Sequence, residues 1–180
     1  MDTMPVMIDR TDYLKQLAAT VRRSPVTALV GPRQCGKTTL AREFASSRKA
    51  THFDLESIPD RQRLQNPELM LGVLKGLVVL DEIQSMPELF NVLRVLVDRP
   101  RSTTRFLVLG SASPDLINGV SETLAGRIQF VELAGFDLRE TGPNSLDALW
   151  LRGGFPRSFL AKSDSDSAAW REGFIQTFLE

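Results

Sequence analysis

The chain has 180 residues, enough for one compact domain and the beginning of a second region. Its basic and acidic side chains both number 22, so the net charge is zero and does not indicate binding to nucleic acid or an anionic membrane. A single cysteine excludes an intramolecular disulfide, and neither a signal peptide nor an apolar stretch of membrane-spanning length is evident. We therefore expect a cytoplasmic protein.

The first predicted elements lead to a glycine-rich loop. An amphipathic helix with apolar residues at positions 13–21, capped by Thr11, precedes an apolar strand at 26–30. Residues 31–38 then read Gly-Pro-Arg-Gln-Cys-Gly-Lys-Thr, a complete phosphate-binding loop (P-loop). The amphipathic pattern after it predicts a helix over 38–46.

The P-loop predicts nucleotide binding. Its glycines let the backbone wrap around phosphate oxygens, and its amides form an anion nest with the start of the next helix. Lys37 would contact the β- and γ-phosphates, and Thr38 would offer a hydroxyl to Mg²⁺. The residues predicted to bind the nucleotide here are Gly31, Pro32, Arg33, Gln34, Cys35, Gly36, Lys37, Thr38 and Thr39.

Two acids follow the next buried strand. A weak strand at 51–53 and a helix over 62–74 lead to the apolar run at 77–80, which ends in Asp81-Glu82. Asp81 would hold Mg²⁺ through water, and Glu82 would accept a proton from the attacking water. The alternative is that both are solvated loop acids. His52, the only histidine, has no Cys or His partner in the pattern and predicts no metal site.

The rest of the chain continues the alternation of helix and strand. Helices are predicted over 87–97 and 114–124, and strands over 106–109 and 128–131, which indicates an α/β sandwich with a parallel sheet. The composition shifts near Asp137, where turns and short helical runs begin. We predict a P-loop core at 1–136 and, at 137–180, a small helical lid or the start of a truncated C-terminal region.

Four motifs in order carry a family resemblance. They are Gly-Pro-Arg-Gln-Cys-Gly-Lys-Thr-Thr-Leu, Leu-Asp-Glu-Ile-Gln-Ser-Met-Pro, Leu-Gly-Ser-Ala-Ser and Leu-Ala-Gly-Arg. The set resembles AAA-like P-loop ATPases, bacterial and archaeal proteins that carry a C-terminal domain of unknown function. The resemblance implies a three-layer sandwich whose parallel sheet has the strand order 5-1-4-3-2. It also implies that this chain lacks the family's C-terminal domain. We therefore expect the chain to be a shortened form of a larger protein.

The resemblance implies three further roles. Ser111, or Ser113 beyond it, would be the sensor of the γ-phosphate, although a serine that caps the next helix is equally compatible. Arg127 would be a catalytic arginine finger that acts on a neighbour's nucleotide in a homo-oligomer, against the alternative of a surface arginine. Pro156, in the turn Gly-Gly-Phe-Pro, would lie against adenine. The alternative is a turn without a role in binding, since glycine and proline are common in turns.

The combined motifs favour an ATPase that uses Mg²⁺, with Lys37, Glu82 and Arg127 as catalytic residues and Thr38 and Asp81 as metal ligands. A nucleotide-dependent switch or scaffold with little turnover is the alternative. The sensor motif has Leu109 at the position where the family often has threonine, and this difference favours the alternative. The sequence identifies neither the process nor a protein partner.

Overall fold

The computed structural model of the protein describes residues 8–100, 102–111 and 123–178. The candidate sensor Ser113 lies outside these ranges, and so does the predicted helix at 114–124 except for its last two residues. Within them the chain divides into two compact units. The larger comprises Asp12–Pro32 and Lys37–Leu133, and the smaller comprises Arg33–Gly36 with the described residues up to Thr11 and from Ala134 onward.

The larger unit contains a parallel sheet. Its strands in the order β2-β3-β4-β1-β5 all run in one direction, which confirms the predicted α/β fold and strand order. Every residue of the interior strand β1 is buried, as expected when helices cover both faces of a parallel sheet. The described strands are β1 (Val26–Gly31), β2 (Ala50–Asp54), β3 (Leu77–Asp81), β4 (Arg105–Ser111) and β5 (Ile128–Glu132).

Alternate strand residues pack on opposite sides of the sheet. Val78 and Leu80 of β3, for example, join a continuous hydrophobic core that also includes Leu89 and Leu93 of the helix after β3. The other strand face is equally dry, since Val79 is fully buried. The described α-helices of this unit are α1 (Thr11–Arg23), α2 (Lys37–Ser46), α3 (Ile58–Arg63), α4 (Pro67–Gly72) and α5 (Leu89–Val97).

Two predicted helix boundaries are wrong. The single helix expected at 62–74 is two short helices, because Pro67 has no N–H to continue α3 and instead begins α4. The Asn66 side chain accepts a bond from the Leu69 amide and caps the second helix. At the N-terminus, the Asp9 carboxylate accepts from the Thr11 amide at 2.7 Å, so Asp9 rather than Thr11 is the cap.

The smaller unit is helical after Ala134. Its helices are α6 (Leu138–Thr141), α7 (Leu146–Arg152), α8 (Pro156–Phe159) and α9 (Asp164–Phe178). The last helix begins at Asp164, where the Ser163 hydroxyl accepts from the Asp166 amide at 3.1 Å and caps it. Asp137 and Glu140 form a reciprocal capping box that starts α6, which the sequence pattern did not predict.

Candidate functional site

The P-loop joins β1 to α2 through two residues with positive φ. Gln34 has φ 62° and Gly36 has φ 97°. Glycine adopts such angles at little cost, whereas a glutamine there is strained, which is a frequent feature of functional loops. Gly31 and Cys35 are buried, while the side chains of the other loop residues differ in exposure. The exposed residues of the predicted nucleotide set are Pro32, Arg33, Gln34 and Thr39.

Lys37 is the first residue of α2 and is only 5% exposed. Its Nζ donates to the carbonyl oxygens of Gly31 at 3.1 Å and Pro32 at 2.9 Å, so the side chain folds back along the loop. An ammonium group has three donors, and these bonds use two of them. The charge therefore lies beside the loop backbone at the N-terminus of a helix, where an anion is favoured.

Thr38, the residue after this lysine, faces Asp81. Asp81 is at the C-terminal end of β3, and the Thr38 hydroxyl is close enough to its carboxylate to lower the pKa of that group. Asp81 is 4% exposed, and burial is the main cause that raises its pKa above the ordinary value of 3.8. The negative charge of Glu82 raises the pKa further, while the nearby Thr38 hydroxyl lowers it. A buried carboxylate beside a hydroxyl is a set of hard oxygen ligands.

Glu82 adopts a left-handed backbone conformation, with φ 55° and ψ 52°. A glutamate in this region is strained, and the structure places that strain immediately after the buried strand. The Glu82 side chain is half-buried, and its Oε2 accepts a hydrogen bond from the Gln84 amide group. The two predicted acids therefore differ in setting: Asp81 is buried at the strand end, and Glu82 is presented on a tight turn.

Ser111 is the last residue of β4 and lies beside the start of the P-loop. In the sheet register it is the partner of Gly31, the last residue of β1. Parallel strands deliver their C-terminal ends to one edge, so Ser111, Gly31 and Asp81 share that edge. The side chain of Ser111 is half-buried.

Arg127 lies at the opposite edge of the sheet. It directly precedes β5, whose first residue Ile128 pairs with Val26 at the beginning of β1. Its guanidinium forms a bidentate ion pair with Asp98, in which Nε donates to Oδ1 at 2.7 Å and Nη2 donates to Oδ2 at 2.8 Å. The pair is partly exposed, and it lowers the pKa of Asp98. Arg127 is therefore at the N-terminal ends of the strands, whereas the P-loop follows the C-terminal end of β1.

Pro156 and the glycines before it lie against other parts of the smaller unit. A Cβ placed on Gly36 would be 3.9 Å from Cγ of Pro156, so the turn packs beside the P-loop glycine. Gly154 accepts a hydrogen bond from the Phe136 amide at 2.6 Å. A Cβ on Gly154 would lie 2.4 Å from the Phe136 carbonyl oxygen, so this position requires glycine.

A family model described as an AAA domain matches residues 23–142, two thirds of the chain. The chain belongs to the AAA-domain family. Two curated relatives are 53% identical to it over 175 residues: the uncharacterized protein Mb2031c of Mycobacterium bovis and the uncharacterized protein Rv2008c of Mycobacterium tuberculosis. The alignments cover 97% of this chain and 40% of each relative, so the chain spans less than half the length of these proteins.

A solved structure shares the fold. The Walker-type ATPase PABY2304 of Pyrococcus abyssi aligns with a TM-score of 0.66 over 96% of this chain and 75% of that one. Sequence identity is 17%, so the match supports the architecture of the AAA domain. The resemblance to AAA-like P-loop ATPases is thereby confirmed, and the family indicates nucleotide binding.

One neighbour of the candidate site in this AAA domain was missed. His52 of β2 has its Nε2 4.0 Å from Oδ2 of Asp81, and its positive charge when protonated would lower the pKa of that carboxyl. The register of β2 against β3 aligns Asp54 with Asp81, which puts His52 on the same face. Pairing of these two strands could have predicted the contact, but the sequence gives no local signal for it.

Two negative findings apply to the described part of the chain. No cluster of three or more His, Cys, Asp or Glu side chains there could hold a metal ion by itself. A Mg²⁺ ion at Thr38 and Asp81 would therefore need phosphate oxygens and waters as its remaining ligands, as is usual for this ion in nucleotide sites. Among the same residues, no helix combines the length and the apolar character needed to span a bilayer.

Proposed function

We propose that the AAA domain binds ATP together with Mg²⁺ at the P-loop and hydrolyses it. The observation that carries the proposal is the interaction between the buried Asp81 and Thr38, which follows Lys37 directly in α2, together with the Lys37 ammonium on the P-loop carbonyl oxygens. This cluster combines a phosphate-binding cation with the hard oxygen ligands that suit Mg²⁺. Family membership supports nucleotide binding by the same residues.

The proposed roles follow from chemistry and position. The amides of residues 33–38 and Lys37 hold the phosphates, with Lys37 released from the carbonyl oxygens of Gly31 and Pro32 when phosphate oxygens replace them. Mg²⁺ bound by Thr38 and Asp81 would neutralise charge on the phosphates. Ser111 at the same sheet edge would donate a hydrogen bond to the γ-phosphate, and Pro156 would border the adenine.

Glu82 is the proposed general base. It follows the proposed metal ligand directly, on a strained turn at the end of the strand. The carboxylate would orient the attacking water and accept its proton while the bond to the γ-phosphoryl group forms. Hydrolysis then breaks the bond between the γ-phosphorus and the bridging oxygen, and gives ADP and inorganic phosphate.

Arg127 enters the proposal only through a second subunit. Its position at the far edge of the sheet is compatible with action on a neighbour's nucleotide, and stabilisation of transition-state charge by such an arginine is a large rate effect. The Asp98 ion pair would have to open first. A homo-oligomer is therefore part of the proposal. A cytoplasmic location is proposed separately.

A nucleotide-dependent switch with little turnover is the second candidate. The contact between Gln84 and the Glu82 carboxylate favours it, because the amide donor occupies a carboxylate oxygen that a general base would use to accept the proton of the water. In this alternative, ATP would hold one conformation of the domain and hydrolysis would be incidental.

Phosphate release separates the two candidates. Wild type and Glu82→Gln are compared with saturating Mg²⁺-ATP, after both are shown to bind the nucleotide with similar affinity. We expect the substitution to lower turnover by about 100-fold, as for the loss of a general base. Equal release by the two proteins would contradict the role of Glu82 and favour the switch.

A further inference from the structure

A buried arginine outside the predicted site contacts the P-loop. Arg10 directly precedes α1, and its side chain is 7% exposed. Nη1 donates to the carbonyl oxygen of Cys35 at 3.0 Å, and Nη2 donates to the carbonyl oxygen of Ala134 at 3.1 Å. Cys35 is a P-loop residue, so a charged side chain bonds the backbone of the loop.

The same guanidinium is anchored on its other side. Its Nε lies 2.7 Å from Oε1 of Glu140, and Nη2 donates to Oε2 of Glu140 at 3.3 Å. The ring of Phe136 packs against it, with 4.6 Å between the guanidinium carbon and the ring centroid. Glu140 is itself held, because its carboxylate also accepts from the Asp137 amide in the capping box of α6. Arg10 therefore cannot swing freely.

The bond to Cys35 controls a peptide group that the phosphate site uses. In a trans peptide the carbonyl and the following N–H point in opposite directions. With its oxygen bonded to Arg10, the Cys35–Gly36 peptide directs the Gly36 N–H away from the arginine. Gly36 has φ 97° and no side chain, so rotation of this peptide would otherwise be easy. An anion nest requires that its N–H groups keep one orientation.

We propose that Arg10 is a positioning residue for nucleotide binding, which holds the Cys35–Gly36 peptide in the orientation that binds phosphate. Glu140 and Phe136 orient the arginine for this task. The inference rests on the proposed function, because it concerns the same P-loop. It adds a residue 21 positions before the first P-loop glycine that no motif contains.

The test uses a pair of substitutions that leaves no buried charge without its partner. Arg10→Met/Glu140→Met removes the ion pair, and replacement of a buried pair by apolar side chains of similar size is often neutral for stability. The matched control is Arg152→Met/Asp164→Met. Arg152 also bonds a carboxylate, Asp164 at 2.7 Å, and a carbonyl oxygen, that of Ala161 at 2.8 Å, in the same unit.

Hydrogen exchange without nucleotide is the first measurement. We expect the P-loop amides at residues 35–38 to exchange at least about tenfold faster in the Arg10 and Glu140 double variant than in wild type. The Arg152 and Asp164 double variant should exchange there as wild type does. Unchanged P-loop exchange in the first variant would overturn the proposal, whatever the nucleotide affinity.

Affinity for Mg²⁺-ATP is the second measurement, made with melting temperatures of all three proteins. We expect the Arg10 and Glu140 variant to bind about tenfold more weakly, a loss typical of one charge-assisted hydrogen bond, while the control stays within about twofold. A residue that served only stability would change the melting temperature and leave the affinity alone. Wild-type affinity in a folded double variant would overturn the inference.

The single variant Arg10→Lys keeps the inference testable if the double variant does not fold. Lysine retains the charge beside Glu140 but lacks the fork that reaches two carbonyl oxygens and a carboxylate together. We expect faster P-loop exchange and weaker binding than in wild type, and wild-type values for both would contradict the proposal. If wild type itself does not bind Mg²⁺-ATP, the proposed function fails, and exchange still decides whether Arg10 holds the loop.

Discussion

At the scale of single residues, two adjacent acids of the candidate site each lower the stability of the folded protein. Asp81 is buried with a raised pKa, and Glu82 has a left-handed backbone. Neither feature helps the fold, and both suit a site that waits for cations and phosphate. Substitutions that relieve the cost should therefore stabilise the protein in the absence of ligand and impair the proposed activity.

Glu82 gives the first prediction. Glu82→Gly removes the strain of positive φ and should raise the free energy of unfolding by about 1 kcal/mol relative to Glu82→Gln. The glutamine variant serves as the control because both substitutions remove the charge next to Asp81. Chemical denaturation without nucleotide measures the difference. A glycine variant less stable than the glutamine variant would show that the backbone at this turn is not strained.

Asp81 gives a prediction with a defined pH dependence. Because its pKa is raised in the folded state, the folded protein binds a proton more readily than the unfolded chain does. The free energy of unfolding therefore falls as the pH rises from about 3.8 through the raised pKa. Asp81→Asn cannot lose a proton, so it should be more stable than wild type at neutral pH, with a difference that shrinks in acid.

The control for Asp81 has the opposite sign. Arg127 lowers the pKa of Asp98, so Asp98→Asn should lose stability above the ordinary carboxyl pKa rather than gain it. Thermal melts across the pH range, without Mg²⁺ and nucleotide, measure both variants. A wild-type advantage over Asp81→Asn at neutral pH would mean that Thr38 and His52 compensate the burial of the carboxylate.

At the scale of elements, periodicity predicts where apolar segments lie better than where polar ones end. The strands predicted at 77–80, 106–109 and 128–131 all lie within observed strands. The first two are continuous buried apolar runs, as a parallel sheet covered on both faces needs, whereas only Val131 is buried in the edge strand β5. Helix ends depend on single hydrogen bonds, such as the Ser163 cap of α9, and on Pro67. Such local competition is not visible in a hydrophobic pattern.

The turn before α8 provides the prediction at this scale. Gly154→Ala would place a Cβ 2.4 Å from the Phe136 carbonyl oxygen, so we expect destabilisation of about 1–3 kcal/mol. Gly173→Ala is the matched control, because its Cβ meets nothing within 4 Å and the residue lies inside α9. That variant should gain about 0.5–1 kcal/mol. Thermal or chemical denaturation of both variants measures the contrast, and equal effects would contradict the close approach at Gly154.

At the scale of the whole molecule, the sheet order is the strongest link between sequence and structure. The P-loop and the Asp81-Glu82 pair each carry a local signal, and the observed order β2-β3-β4-β1-β5 puts β4 between their strands. Ser111 at the end of β4 thus lies at the same edge as both motifs. The contacts of His52 and Arg10 have no local signal in the sequence, since each joins segments that are distant along the chain, and only the pairing of β2 with β3 could have indicated the first.

The same scale limits what the AAA domain can do alone. The curated relatives are more than twice as long as this chain. The fold of the sheet does not identify the process that ATP hydrolysis would drive in a protein of that length. Under the proposed function, the domain would supply the part that every such activity shares, which is a phosphate site with a lysine, a hydroxyl and two acids.

Titration calorimetry of Mg²⁺-ATP tests this central claim most directly. Wild type should bind one nucleotide per chain, and Lys37→Met should weaken binding by about 100-fold or more, because it removes the cation that contacts the phosphates. Lys75→Met, outside the P-loop, is the control and should bind as wild type does. Absence of binding by wild type, or equal binding by wild type and Lys37→Met, would contradict the account.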